Sequence, residues 1–196
     1  MRPEDYITRE GKFGAHNYHP LPVVLQKGEG VYVWDVEGKR YFDFLSGYSA
    51  LSQGHCHPKI IKALTDQAQQ LTLVSRAFHA DILGEYMEFA CKFFGYDKLL
   101  PMNTGAEAVE SAIKAARAWG YRVKGVEADQ ANIIVMGSNF HGRTTTIISF
   151  SDDPDARDDF GPYTPGFRRA TFGDANSVAA VMDDNTVAVL VEPIQG

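Results

Sequence analysis

The segment Met102–Glu107 combines a threonine, a glycine and an alanine at the start of a helical pattern that runs to about Trp119. The first amides of a helix have no partner inside it, and the helix dipole makes this end positive. A phosphate group can bind there. A plain strand–turn–helix with Thr104 as its N-cap would account for the same residues.

A second segment, Phe140-His141-Gly142-Arg143, follows the apolar run Ile133–Met136. An exposed phenylalanine can stack on a heteroaromatic ring, and an arginine can hold a carboxylate through two hydrogen bonds. Taken alone, a buried Phe140 and a surface Arg143 would be the simpler explanation. Because both segments are expected at the carboxyl edge of one sheet, they predict a site for a flat, phosphorylated cofactor and a carboxylate substrate.

Two further groups of residues could do chemistry. Tyr18 and Tyr48 lie in loop-like segments, where tyrosine can line a site with its apolar ring and polar tip; packing is the simpler role for both. The run His55–His57 suggests a metal, but neighbouring residues rarely converge on one ion and no second pair stands at ligand spacing. A loop leading into a helix explains it better, and we predict no metal site.

Composition narrows the class of protein. The 196 residues are 44% hydrophobic and 22% charged, as in a soluble globular protein, and the net charge of −6 without a basic run argues against nucleic-acid binding. No apolar run approaches the ~18 residues of a membrane helix. Cys56 and Cys91 make no disulfide framework. Without a secretory signal we expect the cytoplasm, or the mitochondrial matrix if a presequence is removed.

The periodicity predicts an α/β protein with a mainly parallel sheet and flanking helices. A hairpin is expected over Val31–Asp35 and Arg40–Phe44, joined at Glu37-Gly38. The remaining predicted strands are Lys98–Met102, Ile133–Met136 and Val187–Val191. The predicted helices begin at Pro58, after Asp81, at Gly105 and after Gly142, with a last one near Ser177–Met182.

Three details of this pattern carry further expectations. The Gly105 helix is apolar around most of its surface, so we expect it to be enclosed, with Lys114 paired to Glu110 on its polar face. Ser151–Gly173 has no clear period, so we expect it to lack regular structure and to form an interface or active-site loop, a solvated connection being the simpler alternative. The sequence stops soon after a core-type strand, and we therefore expect it to be the first part of a longer protein.

Several motifs, in register and order, make the chain resemble a known family. They are Gly14-Ala15-His16-Asn17-Tyr18-His19-Pro20, Tyr41-Phe42-Asp43-Phe44-Leu45-Ser46, Gly54-His55-Cys56-His57-Pro58, Met102-Asn103-Thr104-Gly105-Ala106-Glu107, Phe140-His141-Gly142-Arg143-Thr144 and Val191-Glu192-Pro193-Ile194-Gln195-Gly196. From about Gly14 to Gly196 the chain resembles the amino-terminal half of the ornithine aminotransferase family, within the class-III aminotransferases that depend on pyridoxal 5′-phosphate.

The resemblance implies a fold type I transferase, with residues 1–50 as an amino-terminal segment of a small domain and 51–196 as the first part of the large domain. It implies that Gly105 and Ala106 bind the cofactor phosphate and that Phe140 stacks on the pyridine ring. Arg143 would bind the α-carboxylate of ornithine. Tyr18 and Tyr48 would line the pocket for the α-amino end of ornithine and so direct reaction to the δ-amine.

The resemblance also implies what the whole protein does: it transfers the δ-amino group of L-ornithine to 2-oxoglutarate, as a homodimer, giving glutamate-5-semialdehyde and glutamate. The Schiff-base lysine, the acidic partner of the pyridine nitrogen and the arginine for 2-oxoglutarate would lie beyond Gly196. We therefore expect no catalytic residue in this chain, and no activity from it alone. The alternatives are a sister ω-aminotransferase acting on acetylornithine or 4-aminobutyrate, and a non-catalytic binding module.

Overall fold

The computed structural model describes residues 1–196, which form two compact units, Met1–Tyr86 and Met87–Gly196. The boundary expected between residues 50 and 51 concerns domains of a longer protein, and it stays a prediction. No helix in either unit has both the length and the apolar character needed to cross a membrane.

The first unit contains a three-stranded antiparallel sheet in the order β1-β2-β3. Tyr32 pairs with Phe42 and Trp34 with Arg40, which confirms the predicted hairpin with shorter strands. Its elements are helix α1 (Pro3–Phe13), strands β1 (Leu25–Glu29), β2 (Tyr32–Asp35) and β3 (Arg40–Phe42), the one-turn element α2 (Ser46–Ser49) and helix α3 (Pro58–Gln70). Helix α4 (Asp81–Phe94) continues into the second unit. The helices predicted from Pro58 and after Asp81 are confirmed.

The second unit is built on a parallel sheet in the order β5-β4-β6. Its elements are α5 (Gly105–Trp119), a π-helical turn (Gly120–Lys124), β4 (Asn132–Met136), α6 (Thr145–Ile148), α7 (Pro154–Arg157), β5 (Phe167–Ala170), α8 (Ala175–Val181) and β6 (Thr186–Leu190). Every residue of the central strand β4 is buried. This explains the apolar run Ile133–Met136 within it, since a central parallel strand is covered on both faces.

Helices cover both faces of this sheet. On one face Ile133 and Val135 of β4 pack with Ile113 of α5, Ile147 and Phe150. On the other face Ile134 and Met136 pack with Ala170, Val178 and Val181, the last two from α8. The alternation of β4 side chains between two cores follows from the two-residue period of a strand. The predicted α/β layering is thus confirmed.

Two predictions about the second unit are wrong. Lys98–Met102 is not a strand: Pro101 has no amide to donate to a ladder, and Leu100 is 68% exposed. Ser151–Gly173 is not structureless, because it contains α7 and the sheet strand β5. The sequence of β5, Phe-Arg-Arg-Ala, lacks the apolar pattern of a buried strand. Its two charges are accommodated because Arg168 and Arg169 form ion pairs with Asp183 and Asp152.

Candidate functional site

The start of α5 presents two backbone amides without an acceptor in the helix. Thr104 is the N-cap, and its Oγ1 accepts the Glu107 amide at 3.1 Å. Glu107 in turn accepts the Asn103 amide at 2.9 Å, and the first amide bonded to a backbone carbonyl is that of Ala108, at 3.1 Å from the Thr104 oxygen. The amides of Gly105 and Ala106 come before this bond. Together with the helix dipole they can bind an anion.

The Phe140–Arg143 segment packs directly against this helix start. Gly142 has a φ of +128°, and a Cβ at that position would lie 3.1 Å from Ala106 Cβ and 3.0 Å from Ile147 Cδ1. Only glycine fits both the backbone angle and the close approach. The space beside Gly105, in contrast, holds no atom within 4 Å of an added Cβ. The contact at Gly142 therefore brings the two predicted segments together beside the two amides that have no acceptor in the helix.

Phe140 and Arg143 lie next to each other at this edge. The Phe140 ring is 63% exposed, and the Arg143 guanidinium carbon lies 5.5 Å from the centre of that ring. The Phe140 amide donates to Glu192 Oε2 at 3.1 Å. Because Glu192 follows β6 and Phe140 follows β4, this bond ties the carboxyl ends of two neighbouring parallel strands. Such an edge is where ligands bind in open α/β sheets.

Buried polar groups stabilise the loop that carries Phe140. Asn139 is buried and donates from Nδ2 to the carbonyls of Met136 and Phe150 at 2.7 and 3.1 Å. Gln195 donates to the Gly137 carbonyl at 2.9 Å, a second bond between the segments after β6 and β4. These bonds fix the backbone on either side of Phe140, so its ring is held out from a rigid loop.

His141 follows Phe140 in the chain, and the centre of its ring lies 6.0 Å from that of the Phe150 ring. Burial lowers the pKa of His141, because an imidazolium is poorly solvated there, while the nearby charge of Glu192 acts in the opposite direction. The imidazole is therefore held neutral at pH 7. Its Nε2 is buried without a hydrogen-bond partner in this chain.

Two expectations for α5 are wrong. Ile113 is its only fully buried residue, so the helix is not enclosed within this chain. Glu110 is not paired with Lys114; its carboxylate accepts the hydroxyl of Thr144 instead. This bond crosses from α5 to the N-cap of α6, just after Arg143, and so adds a second link between the two halves of the candidate site.

The two predicted tyrosines lie in the first unit. Tyr18 is 56% exposed and lines a cleft of about 620 Å³ beside α1. Tyr48 is 82% exposed and lies in α2, where Ser46, Gly47, Tyr48 and Ser49 all have positive φ, between 49° and 66°. Left-handed conformations cost non-glycine residues about 1–3 kcal/mol each and cluster at functional sites. That these tyrosines share a pocket with Arg143 stays a prediction.

The comparisons with known proteins decide the family. The aminotransferase class-III family matches residues 13–196. The chain belongs to the class-III aminotransferases. It is 58% identical over 194 residues to the mitochondrial ornithine aminotransferase of Drosophila ananassae and 56% identical over 195 residues to ornithine aminotransferase 2 of Staphylococcus aureus. These matches cover 98% and 100% of the chain but 45% and 49% of the relatives, so the chain spans about half their length.

Solved structures of the class agree with this fold. An ornithine aminotransferase from Toxoplasma gondii, with PLP at partial occupancy in its active site, is 48% identical with a TM-score of 0.97, over 100% of this chain and 46% of that one. An acetylornithine aminotransferase from Elizabethkingia anophelis is 58% identical with a TM-score of 0.85, over 100% of this chain and 48% of that one. The predicted fold type I architecture is thereby confirmed.

The residues at the α5 edge of this class-III chain fit a pyridoxal phosphate group. Gly105 and Ala106 offer two amides to a phosphate, and the exposed ring of Phe140 offers a flat face. Glycine at 142 keeps the two close together. The sequence pattern alone assigns no role to Glu192, His141 or Asn139. A carboxylate at the end of a predicted strand, two residues past Leu190, is the signal that could have singled out Glu192.

Proposed function

We propose that the full-length protein containing this chain is a PLP-dependent ornithine aminotransferase that moves the δ-amino group of L-ornithine to 2-oxoglutarate, giving glutamate-5-semialdehyde and glutamate. The observation that carries this proposal is the contact of Gly142 with Ala106, because it joins an anion-binding helix start to an aromatic ring and a guanidinium. The similarity to proteins named ornithine aminotransferases supports the choice of substrate.

Each residue has a proposed role. The amides of Gly105 and Ala106 bind the cofactor phosphate, and the Phe140 ring covers one face of the pyridine. Bound pyridoxal phosphate supplies an electron-withdrawing ring that stabilises negative charge at the substrate carbon. Arg143 binds the α-carboxylate of ornithine and so fixes which end of the substrate faces the cofactor. None of the lysines in this chain is proposed to carry the cofactor.

Tyr18 and Tyr48 are proposed to line the pocket at the α-amino end of ornithine. A tyrosine hydroxyl can hydrogen-bond a polar group that a hydrophobic wall would reject. Holding the α-amino end in this pocket leaves the δ-amine free to react. We further propose that the active form is a homodimer and that 2-oxoglutarate is the second substrate. We place the protein in the cytoplasm, or in the mitochondrial matrix as in its mitochondrially named relatives.

An acetylornithine aminotransferase is the second candidate, because the Elizabethkingia anophelis structure of that name is as similar in sequence as the Drosophila relative. Steady-state kinetics of the full-length protein on ornithine and acetylornithine distinguish the two. We expect the higher kcat/KM with ornithine. The variant Tyr48→Phe removes only the hydroxyl, and we expect it to lower kcat/KM for ornithine about 10-fold or more while changing that for acetylornithine less. A wild-type preference for acetylornithine would overturn the choice of substrate.

A further inference from the structure

The left-handed turn that carries Tyr48 is bound to a single carboxylate. Asp43 Oδ1 accepts the amides of Leu45 at 3.0 Å and Ser46 at 2.8 Å, and the Ser46 hydroxyl returns a bond to the Asp43 carbonyl at 3.3 Å. Inside the turn, the Ser49 amide reaches the Leu45 carbonyl at 3.3 Å. Asp43 thus fixes the start of a segment in which three non-glycine residues, Ser46, Tyr48 and Ser49, have strained left-handed backbones.

The other oxygen of Asp43 is held by His55. Its Nε2 lies 2.6 Å from Asp43 Oδ2, and the two side chains are only 16% and 23% exposed, the carboxylate being the less accessible. His55 is itself fixed, because its amide and carbonyl pair with Gly30 at 2.8 and 2.9 Å. A Cβ on Gly28 would lie 2.6 Å from the His55 ring, so the imidazole fills the space above that glycine. Asp43 is therefore held between the turn and the sheet.

These contacts favour the ionised form of Asp43. Its pKa is lowered, first by the hydrogen bond from the Ser46 amide and next by that from His55. Charge-assisted bonds of this kind are stronger than neutral ones. A charged acceptor that bonds two consecutive amides can offset the backbone strain of the residues that follow.

We propose that Asp43, braced by His55, is a positioning residue that holds Tyr48 for ornithine. This rests on the proposed role of Tyr48 in the ornithine pocket. A turn with several non-glycine residues at positive φ can relax into ordinary backbone conformations of lower energy. If Asp43 is removed, the competent position of Tyr48 is occupied for a smaller fraction of the time. The apparent affinity for ornithine then falls in proportion to the fraction of molecules in the competent position.

Asp35 provides a matched control in the same unit. Its Oδ1 accepts the amides of Glu37 and Lys39 at 3.0 and 2.9 Å, and its Oδ2 accepts the Tyr41 hydroxyl at 2.7 Å. Its pKa is lowered as well, mainly by the bond from Tyr41. It therefore makes the same kinds of bond as Asp43, but the hairpin turn that it caps carries no residue proposed to touch a substrate.

The test uses the full-length enzyme loaded with cofactor, and it follows the absorbance of each half-reaction separately in single turnovers. Asp43→Ala is expected to weaken ornithine about tenfold and to leave the glutamate half-reaction within about twofold. Asp43→Asn keeps an acceptor for the two amides and is expected to have a smaller effect of the same kind. Asp35→Ala is expected to lower the melting temperature without changing either half-reaction.

A double-mutant cycle with Tyr48→Ala shows whether Asp43 acts through Tyr48. If it does, Asp43→Ala adds no further loss of ornithine affinity on the Tyr48→Ala background. Three outcomes would overturn the inference and leave the proposed function standing. The first is that the losses of ornithine affinity in the two variants add fully, and the second is that Asp43→Ala impairs both half-reactions equally. The third is that Asp43→Ala binds ornithine normally while Tyr48→Ala binds it weakly. If Tyr48→Ala itself leaves ornithine unaffected, the proposed role of Tyr48 fails, and the inference fails with it.

Discussion

The substitution Gly142→Ala tests the contact on which the candidate site depends. The added methyl would lie 3.0 Å from Ile147 Cδ1, 3.1 Å from Ala106 Cβ and 3.5 Å from Ala106 Cα, at a residue whose φ is +128°. The end of the isoleucine chain can turn aside. Ala106 belongs to the first turn of α5 and cannot move alone, so the loop carrying Phe140 must shift away from the amide pair.

The cost of this change has two sources. A non-glycine residue in a sparsely populated backbone conformation costs about 1–3 kcal/mol. Overpacking by a methyl group costs a further ~1–3 kcal/mol. The sum is a large fraction of the ~5–15 kcal/mol that stabilises a typical protein. If 1.4 kcal/mol of this strain is relieved by widening the site, the affinity for pyridoxal phosphate falls about tenfold.

The assay is a titration of the full-length apoprotein with pyridoxal phosphate, followed by fluorescence, beside thermal unfolding of the same sample. Gly137→Ala is the control, because its new Cβ would have ordinary contacts, the nearest at 3.5 Å, and its φ is not in the left-handed range. We expect Gly142→Ala to raise the Kd at least tenfold relative to Gly137→Ala, about 1.4 kcal/mol. Equal cofactor affinities in the two variants would refute the reasoning.

Two further substitutions test electrostatic contacts of the second unit. Glu192→Gln removes the charge that opposes burial at His141, so the pKa of His141 should fall further below its usual value; an unchanged or higher value in an NMR titration would contradict the assignment. Hydrogen bonds, first from Asn132, lower the pKa of Asp183 from 3.8 to about 2. The resulting stabilisation is present above about pH 4 and is lost as the pH falls through about 2. Asp183→Asn should therefore flatten the decline in the free energy of unfolding over that range, measured by urea denaturation. A decline as steep as that of the wild type would argue against this assignment.

The predictable parts of the fold are those where local sequence and burial agree. Ile133–Met136 is apolar throughout because both faces of β4 are covered, and the period of Gly105–Trp119 matches α5 residue for residue. Strand β5 was not predicted, because its two arginines interrupt the apolar pattern and are paired with aspartates distant in sequence. The predicted strand at Lys98–Met102 rested on two leucines, with a proline that cannot join a ladder.

The site was predictable only in part, because some of its contacts join residues that are distant in sequence. Glycine, phenylalanine and arginine have chemical roles that can be deduced from their types, and the structure brings Ala106 and Gly142 into contact. The bond from the Phe140 amide to Glu192 joins residues 52 positions apart, so no local sequence pattern predicts it. The left-handed turn at Tyr48 contains one glycine among four residues of positive φ, and its conformation depends on Asp43.

A crystal structure of the full-length protein with pyridoxal phosphate tests the central claim most directly. We predict phosphate oxygens within about 2.7–3.2 Å of the amide nitrogens of both Gly105 and Ala106, with the pyridine ring against Phe140. A phosphate bound elsewhere, with these two amides facing water or protein, would contradict the account.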